Sequence, residues 1–225
     1  TAAPRVSVVV PVYNEGAAIV PFLDRLFLSL RLPSEFTPLY ADPADGNSEL
    51  GLPTGTYNIK THEFEVTGLR PGLYRLRIGG TPSVKAIVWN GRDMTYEPFD
   101  ASEGHDFDGV VVTVTDKTAT IVGSVRDESG NRVRTGAVLA FPTDRTRWSR
   151  FGFSPTHLKS VQTASDGSYK VSLPGGEYYV VAVDVARAGS LYDPAFLAAA
   201  VRGADVVRVD WGETRAQVAT LRVIR

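Results

Sequence analysis

From about residue 56 to the end, apolar side chains recur with a period of two, in runs whose length suits strands rather than helices. Glu63 to Ile78 shows the pattern: Phe64, Val66 and Leu69, then Arg70-Pro71-Gly72, then Tyr74, Leu76 and Ile78. Alternation on both sides of a Pro-Gly corner predicts a hairpin with one buried face, Pro71 presetting φ and Gly72 taking the positive φ of a type II turn. Further strands are predicted at 84–89, 109–115, 121–126 and 137–141, then at 158–163, 169–173, 178–184, 206–210 and 215–223. Turn clusters such as Asn90-Gly91, Ser165-Asp166-Gly167-Ser168 and Pro174-Gly175-Gly176 separate them. Many short strands with regular punctuation predict a mainly β chain of antiparallel sandwiches rather than a parallel α/β sheet. One helix interrupts the series, with Asp193 as N-cap, Pro194 as first residue, Phe196, Leu197 and Val201 as an apolar stripe and Gly203 as the stop. It is expected to close one end of a sandwich.

The strand text repeats itself. Phe64-Glu65-Val66 with Leu69, Gly72 and Tyr74 is answered by Tyr169-Lys170-Val171 with Leu173, Gly176 and Tyr178, a little over 100 residues later. Each unit ends on a similar strand, after Gly104 in the first and Gly212-Glu213 in the second, which sets a boundary near Asp116-Lys117. The first 35 residues differ. Val6-Ser7-Val8-Val9-Val10 is a continuous β run, Asn14 or Glu15 can open a helix, and Ile19, Val20, Leu23, Leu26 and Phe27 follow at helical spacing. The expected organisation is a βα segment over 1–35, an incomplete sandwich over 36–116, and a complete sandwich over 117–225 with its helix near 194–202. Without strands matching those that residues 122–141 supply in the second, the first sandwich is expected to leave an unpaired sheet edge and to be the weaker, unless Val6–Val10 pairs there.

Composition removes several function classes. A net charge of −1 over 225 residues gives no field to attract nucleic acid. The absence of cysteine excludes disulfides, zinc–thiolate sites and cysteine nucleophiles. No run approaches the ~18 apolar residues of a membrane span, so membrane insertion is not expected. Thr1 with no basic-then-apolar leader is the expectation for a mature form or a fragment.

Two resemblances follow from particular phrases. From about residue 55 to 225 the chain resembles bacterial tandem carboxypeptidase regulatory-like (transthyretin-like) domains. The resemblance rests on Phe64-x-Val66-x-Gly68-Leu69-x-Pro71-Gly72-x-Tyr74, on Val84 through Asp93, and on Gly123-Ser124-Val125-Arg126-Asp127 with Gly130. Thr163 with Asp166-Gly167-Ser168-Tyr169, and Gly176-Glu177-Tyr178-Tyr179, reinforce it. It implies seven-stranded Ig-like sandwiches, commonly exported or on the cell surface, with no catalytic residues of their own. Residues 5–35 resemble the opening of a family 2 glycosyltransferase, on Val8-Val9-Val10-Pro11-Val12-Tyr13-Asn14-Glu15, with Tyr40-Ala41-Asp42 as a remnant of its next strand. That resemblance implies a nucleotide-sugar donor and an Asp-x-Asp metal site, for which Asp106-Phe107-Asp108 has the spacing, although the expected reading is plain acids in the loop before the 109–115 strand.

Candidate residues carry competing readings. Asp42, Asp45 and Asn47 with Gly46 have the look of a calcium loop, but Glu49 comes too early and Pro43 intrudes, so a plain acidic loop is expected. His62, His105 and His157 are far apart in sequence and read as structural. Tyr74, Tyr178 and Tyr179 follow glycine corners, where a buried ring with its hydroxyl on nearby backbone is expected. Arg145, Arg147, Trp148, Arg150 and Phe151 form a basic–aromatic cluster in one loop, the best ligand-binding candidate, against the alternative that Trp148 and Phe151 fold back onto the sandwich. The expectation is a non-catalytic structural, adhesive or binding protein of the extracellular space, cell surface or periplasm. No cofactor or metal is expected, and a protein or carbohydrate is the candidate ligand. A glycosyltransferase fragment is the alternative.

Overall fold

The two-residue periodicity resolves into paired sheets that close on separate cores. The computed structural model describes residues 6–9, 39–58, 63–79, 83–104, 106–153 and 155–224. The chain divides into two compact units, Thr1–Asp116 and Lys117–Arg225. Among the described residues no helix is long and apolar enough to cross a membrane.

The first unit contains β1 (Val6–Val9), β2 (Leu39–Pro43), β3 (Gly55–Asn58), β4 (Glu63–Val66), β5 (Leu73–Ile78), β6 (Ser83–Trp89), β7 (Arg92–Asp93), β8 (Phe99–Asp100) and β9 (Phe107–Thr115). Among the described residues one sheet runs β3-β4-β1-β9-β6-β7 and the other β2-β5-β8. Phe64, Val66, Ile87, Phe107, Val110 and Val112 from the first meet Leu39, Ala41, Tyr74, Leu76 and Phe99 from the second in one buried core. The Glu63–Ile78 stretch is therefore not a hairpin. Its two halves bond to different neighbours, β4 to β1 and β3, and β5 to β2 and β8. Both alternations point into the same core from opposite sides, which is why the sequence looked like one buried face. The left-handed glycine of the crossing is Gly68, at φ +75°, and not Gly72; Leu69 beside it is drawn into the core.

Of the predicted N-terminal βα segment, only the strand falls within the described residues, and it takes the pairing foreseen as the alternative for Val6–Val10. β1 lies antiparallel to β4 and parallel to β9, inside the first sandwich. The segment 10–38, including the predicted helix, lies outside the described residues. Opposite β1, three steps along β9 (Phe107 to Val110) span what two steps of β1 span, and Gly109 at φ +70° takes up the extra residue, so that Phe107 and Val110 both reach the core. Tyr40-Ala41-Asp42, read as a transferase remnant, belongs to β2 and pairs antiparallel with β5. Asn90 and Gly91, both at positive φ, form the two-residue turn of the β6–β7 hairpin.

The second unit contains β10 (Ala119–Arg126), β11 (Ala137–Pro142), β12 (Lys159–Gln162), β13 (Ser168–Leu173), β14 (Gly176–Val183), the helix α1 (Pro194–Ala200), β15 (Asp205–Val209), β16 (Thr214–Ala216) and β17 (Ala219–Thr220). One sheet has β13-β10-β16 with β17 also on β10, and the other runs β12-β11-β14-β15. Ile121, Val125, Tyr169, Val171, Val138, Ala140, Val180 and Val207 fill the space between them. β10 stands between antiparallel β13 and parallel β16, just as β1 stands between β4 and β9. The first sandwich, expected to lack its opening strand, has β1 in that place.

β11 is buried at all six positions. Its alternate residues Ala137, Leu139 and Phe141, with Val181 and Val183 of β14, form a second apolar face. Leu191, Phe196, Leu197 and Ala200 cover that face. The helix thus lies on the outside of a sheet rather than closing an end. Its start is as predicted, with the Asp193 carboxylate accepting from the Ala195 amide at 2.9 Å and Pro194 in the first turn. The predicted last strand is two pieces, β16 and β17, separated where Gln217 passes over Gly123; the Gln217 amide donates to the Val122 carbonyl at 2.8 Å.

Tyr169 ties this crossing down by donating its hydroxyl to the Gln217 carbonyl at 2.7 Å. Burial, with Asp205 nearby, pushes its pKa far above the ordinary phenol value. The stability carried by the protonated phenol is therefore full below about pH 10 and declines as pH rises from there toward the folded value. Tyr169→Phe is expected to cost about 1 kcal/mol at neutral pH. Its deficit should shrink in urea titrations run from pH 8 to pH 11, whereas a constant deficit would contradict this account.

Candidate functional site

The basic–aromatic loop follows β11. The Asp144 carboxylate accepts from the Thr146 amide at 3.0 Å and hydroxyl at 2.7 Å, opening a 3₁₀ turn over Arg145–Trp148. The Thr146 hydroxyl chiefly, with the Thr146 amide and Arg147, holds the Asp144 carboxyl below its usual range against partial burial. This turn directs Trp148 inward. Its ring is 3 % exposed and edge-on to Phe141 at 5.6 Å, and its indole N–H donates to the Pro142 carbonyl at 2.8 Å. The Arg145 guanidinium sits 5.4 Å from the Trp148 ring centroid. Arg147 pairs with Asp144 at 3.1 Å, while its carbonyl meets the buried His157 ring at 2.9 Å. Arg150 is exposed and holds a positive φ of 53°. Phe151 is half-buried against Tyr192, 5.6 Å between rings.

The five residues therefore diverge: Trp148 joins the outer core, Arg145 covers its ring, and Phe151 packs on Tyr192. Arg147 alone of the five lines an open groove of about 480 Å³, whose other walls include Thr143, Asp144, Glu177, Arg208, Asp210 and Trp211 over Gly175 and Gly176. Sequence reading missed Arg208, Asp210 and Trp211, more than fifty residues downstream. The available signal was a tryptophan inside the turn Asp210-Trp211-Gly212-Glu213, an unusual place for so large a ring.

Most of the remaining described candidates hold the fold. Asp42 is buried and pairs with Arg77 at 2.5 Å. Asp45 accepts from the Asn47 amide and Asn47 from the Glu49 amide, both at 3.0 Å, so this loop caps a 3₁₀ turn over Ser48–Leu50. Asp106 and Asp108 are exposed on either side of the buried Phe107, Asp108 within β9 itself. Tyr74 accepts from the Arg70 amide at 3.2 Å and Tyr178 donates to the Pro174 carbonyl at 2.9 Å, each reaching four residues back. Tyr179 lies against Phe141 at 5.5 Å on the outer face. His62 and His105 lie outside the described residues. Among the described residues, no group of three or more His, Asp or Glu is arranged to hold a metal ion.

The described residues define two mainly β sandwich units with a groove at one end of the second. No family model matches the chain, and no curated protein matches its sequence. Among solved structures the chain is similar to the minor pilin GBS52 of Streptococcus agalactiae, at 13 % identity over 98 % of this chain and 97 % of that one, TM-score 0.38. It is similar to a streptococcal ancillary pilin at 12 % identity over 96 % and 68 %, TM-score 0.31. It is also similar to the Bacillus anthracis TIE protein at 9 % identity over 99 % of this chain, TM-score 0.33, and spans 34 % of that protein's length. The fold stands on the strand orders and registers above.

Proposed function

We propose that the chain is a non-catalytic structural or adhesive protein, built of tandem sandwich modules of the carboxypeptidase regulatory-like type and working outside the cytoplasm as a spacer with a binding end. One observation carries this reading: among the described residues, most of the side chains singled out for chemistry are engaged in holding the fold. Asp42 is bound to Arg77, Asp45 and Asp144 cap turns, His157 meets a backbone carbonyl, and the hydroxyls of Tyr74 and Tyr178 are tied to their own corners. A turnover site instead needs polar groups free to converge on a reacting atom. The groove where the loop after β11 meets the start of β14 and the end of β15 is where a protein or carbohydrate would be met, because loops at sandwich ends present side chains that the core does not use.

Two measurements test this. Titration calorimetry with UDP-sugars and Mn²⁺ is expected to give no saturable heat, and antibody labelling of intact source cells is expected to reach the chain. Saturable UDP-sugar binding that disappears in Asp108→Ala would overturn the reading in favour of a transferase.

A further inference from the structure

Resting on that reading, we infer that the groove is a binding site for a neutral oligosaccharide, with Trp211 as its stacking platform. Trp211 lies in the turn between β15 and β16. The Glu213 amide donates to the Asp210 carbonyl at 3.0 Å, the Asp210 amide donates to the Glu213 carboxylate at 2.8 Å, and Gly212 takes φ +80°. The indole rests on Gly175, where a Cβ would stand 2.7 Å from Cδ1 and 2.9 Å from Nε1. A half-buried ring already seated on Gly175 before a ligand arrives loses little freedom on binding.

The polar groups around it complete the case. Glu177 and Arg208 stand opposite each other on β14 and β15, beside the Tyr178–Val207 pair that points into the core, so they project on the other side. Glu177 is held by the Thr143 hydroxyl at 3.0 Å. Among the described residues no hydrogen bond or ion pair engages the Arg208 guanidinium, the Asp210 carboxylate or the Trp211 indole N–H. Free donors and acceptors thus surround an aromatic face, the arrangement that binds vicinal hydroxyls while a pyranose C–H face lies on the ring. Arg147 and Arg208 nearly balance Asp144, Glu177 and Asp210, which disfavours polyanions and fits an uncharged ligand. The groove volume, about 480 Å³, falls within the ~300–1,000 Å³ of small-ligand sites.

The test is an amide NMR titration of the whole chain with cellohexaose, chitohexaose and mannohexaose at millimolar concentrations. At least one is expected to shift the amides of 175–177 and 208–212. Arg208→Ala should then weaken binding about tenfold, ~1.4 kcal/mol, at unchanged Tm, since that exposed side chain supports nothing else; Trp211→Ala should abolish it. No shift with any of the three, wild-type affinity in Arg208→Ala, or binding of oligolysine in place of the sugars would overturn the inference. Sugar shifts confined to other residues would also overturn it yet leave the binding-module reading standing. Turnover of a UDP-sugar would sink that reading itself.

Discussion

Gly123→Ala is expected to detach the closing strands of the second sandwich. A Cβ at Gly123 would lie 1.8 Å from the Gln217 carbonyl oxygen and 2.8 Å from its carbon, deep inside van der Waals contact. The obstacle is backbone, and it is pinned by the Gln217 amide on Val122 and the Tyr169 hydroxyl on the Gln217 carbonyl. Relief requires β16 and β17 to move off β10, breaking the pairs from Thr120–Thr214 to Arg126–Thr220. The cost should reach or exceed the upper end of the ~1–3 kcal/mol usual for overpacking. For a unit of this size that corresponds to a fall of roughly 10–20 °C in its Tm. Gly136→Ala supplies the control: that glycine is more deeply buried than Gly123, but its Cβ would meet nothing closer than 3.5 Å, so its transition should barely move. Equal melting of the two variants would refute the account.

This glycine marks the limit of what a sequence discloses. Gly123-Ser124-Val125 was readable as part of a sandwich signature, but not why its first residue has no side chain. The reason is a carbonyl 94 positions downstream. Strand positions were legible because alternation records one buried face, as in β4, whose residues run exposed, buried, exposed, buried. Strand partners were not. The same alternation on either side of Pro71-Gly72 fits a hairpin or a crossing between sheets, and only the bonds of β4 and β5 to other neighbours decide it. β11 hid a further feature. Ala137-Val138-Leu139-Ala140-Phe141 is continuously apolar because both of its faces are covered, and the second cover is supplied by α1 and the loop that carries Trp148.

The candidate site was legible in part for a related reason. Aromatic and basic residues adjacent in sequence suggested one surface, but a 3₁₀ turn sends successive side chains in different directions, so Trp148 went inward while Arg147 reached the groove. The groove itself is assembled from three separate turns, and no local window contains it. A second repeat was also hidden by divergence. Pro43 faces Tyr74 as Pro142 faces Tyr178, which matches Leu39-Tyr40-Ala41-Asp42-Pro43-Ala44-Asp45 to Val138-Leu139-Ala140-Phe141-Pro142-Thr143-Asp144. Asp45 and Asp144 then each accept the amide two residues on.

That second repeat sets up the other large effect. Asp42 of the first unit takes the position of Phe141 in the second, and Arg77 that of Val181. One unit places an ion pair where the other places apolar contact. Asp42 is 1 % exposed and Arg77 9 %, and they meet at 2.5 Å, so removing one partner leaves a charge with little access to water. Asp42→Ala is expected to destabilise the first unit by about 3–5 kcal/mol. Converting both residues, Asp42→Leu with Arg77→Met, should recover most of that loss, because apolar replacement of a buried pair is often neutral or stabilising and the second unit already carries the apolar version. Urea denaturation of the singles and the double closes the cycle. A loss below about 1 kcal/mol in Asp42→Ala would mean that water screens the pair as it does at a surface, and a double variant worse than either single would mean that the pair specifies this face rather than merely filling it.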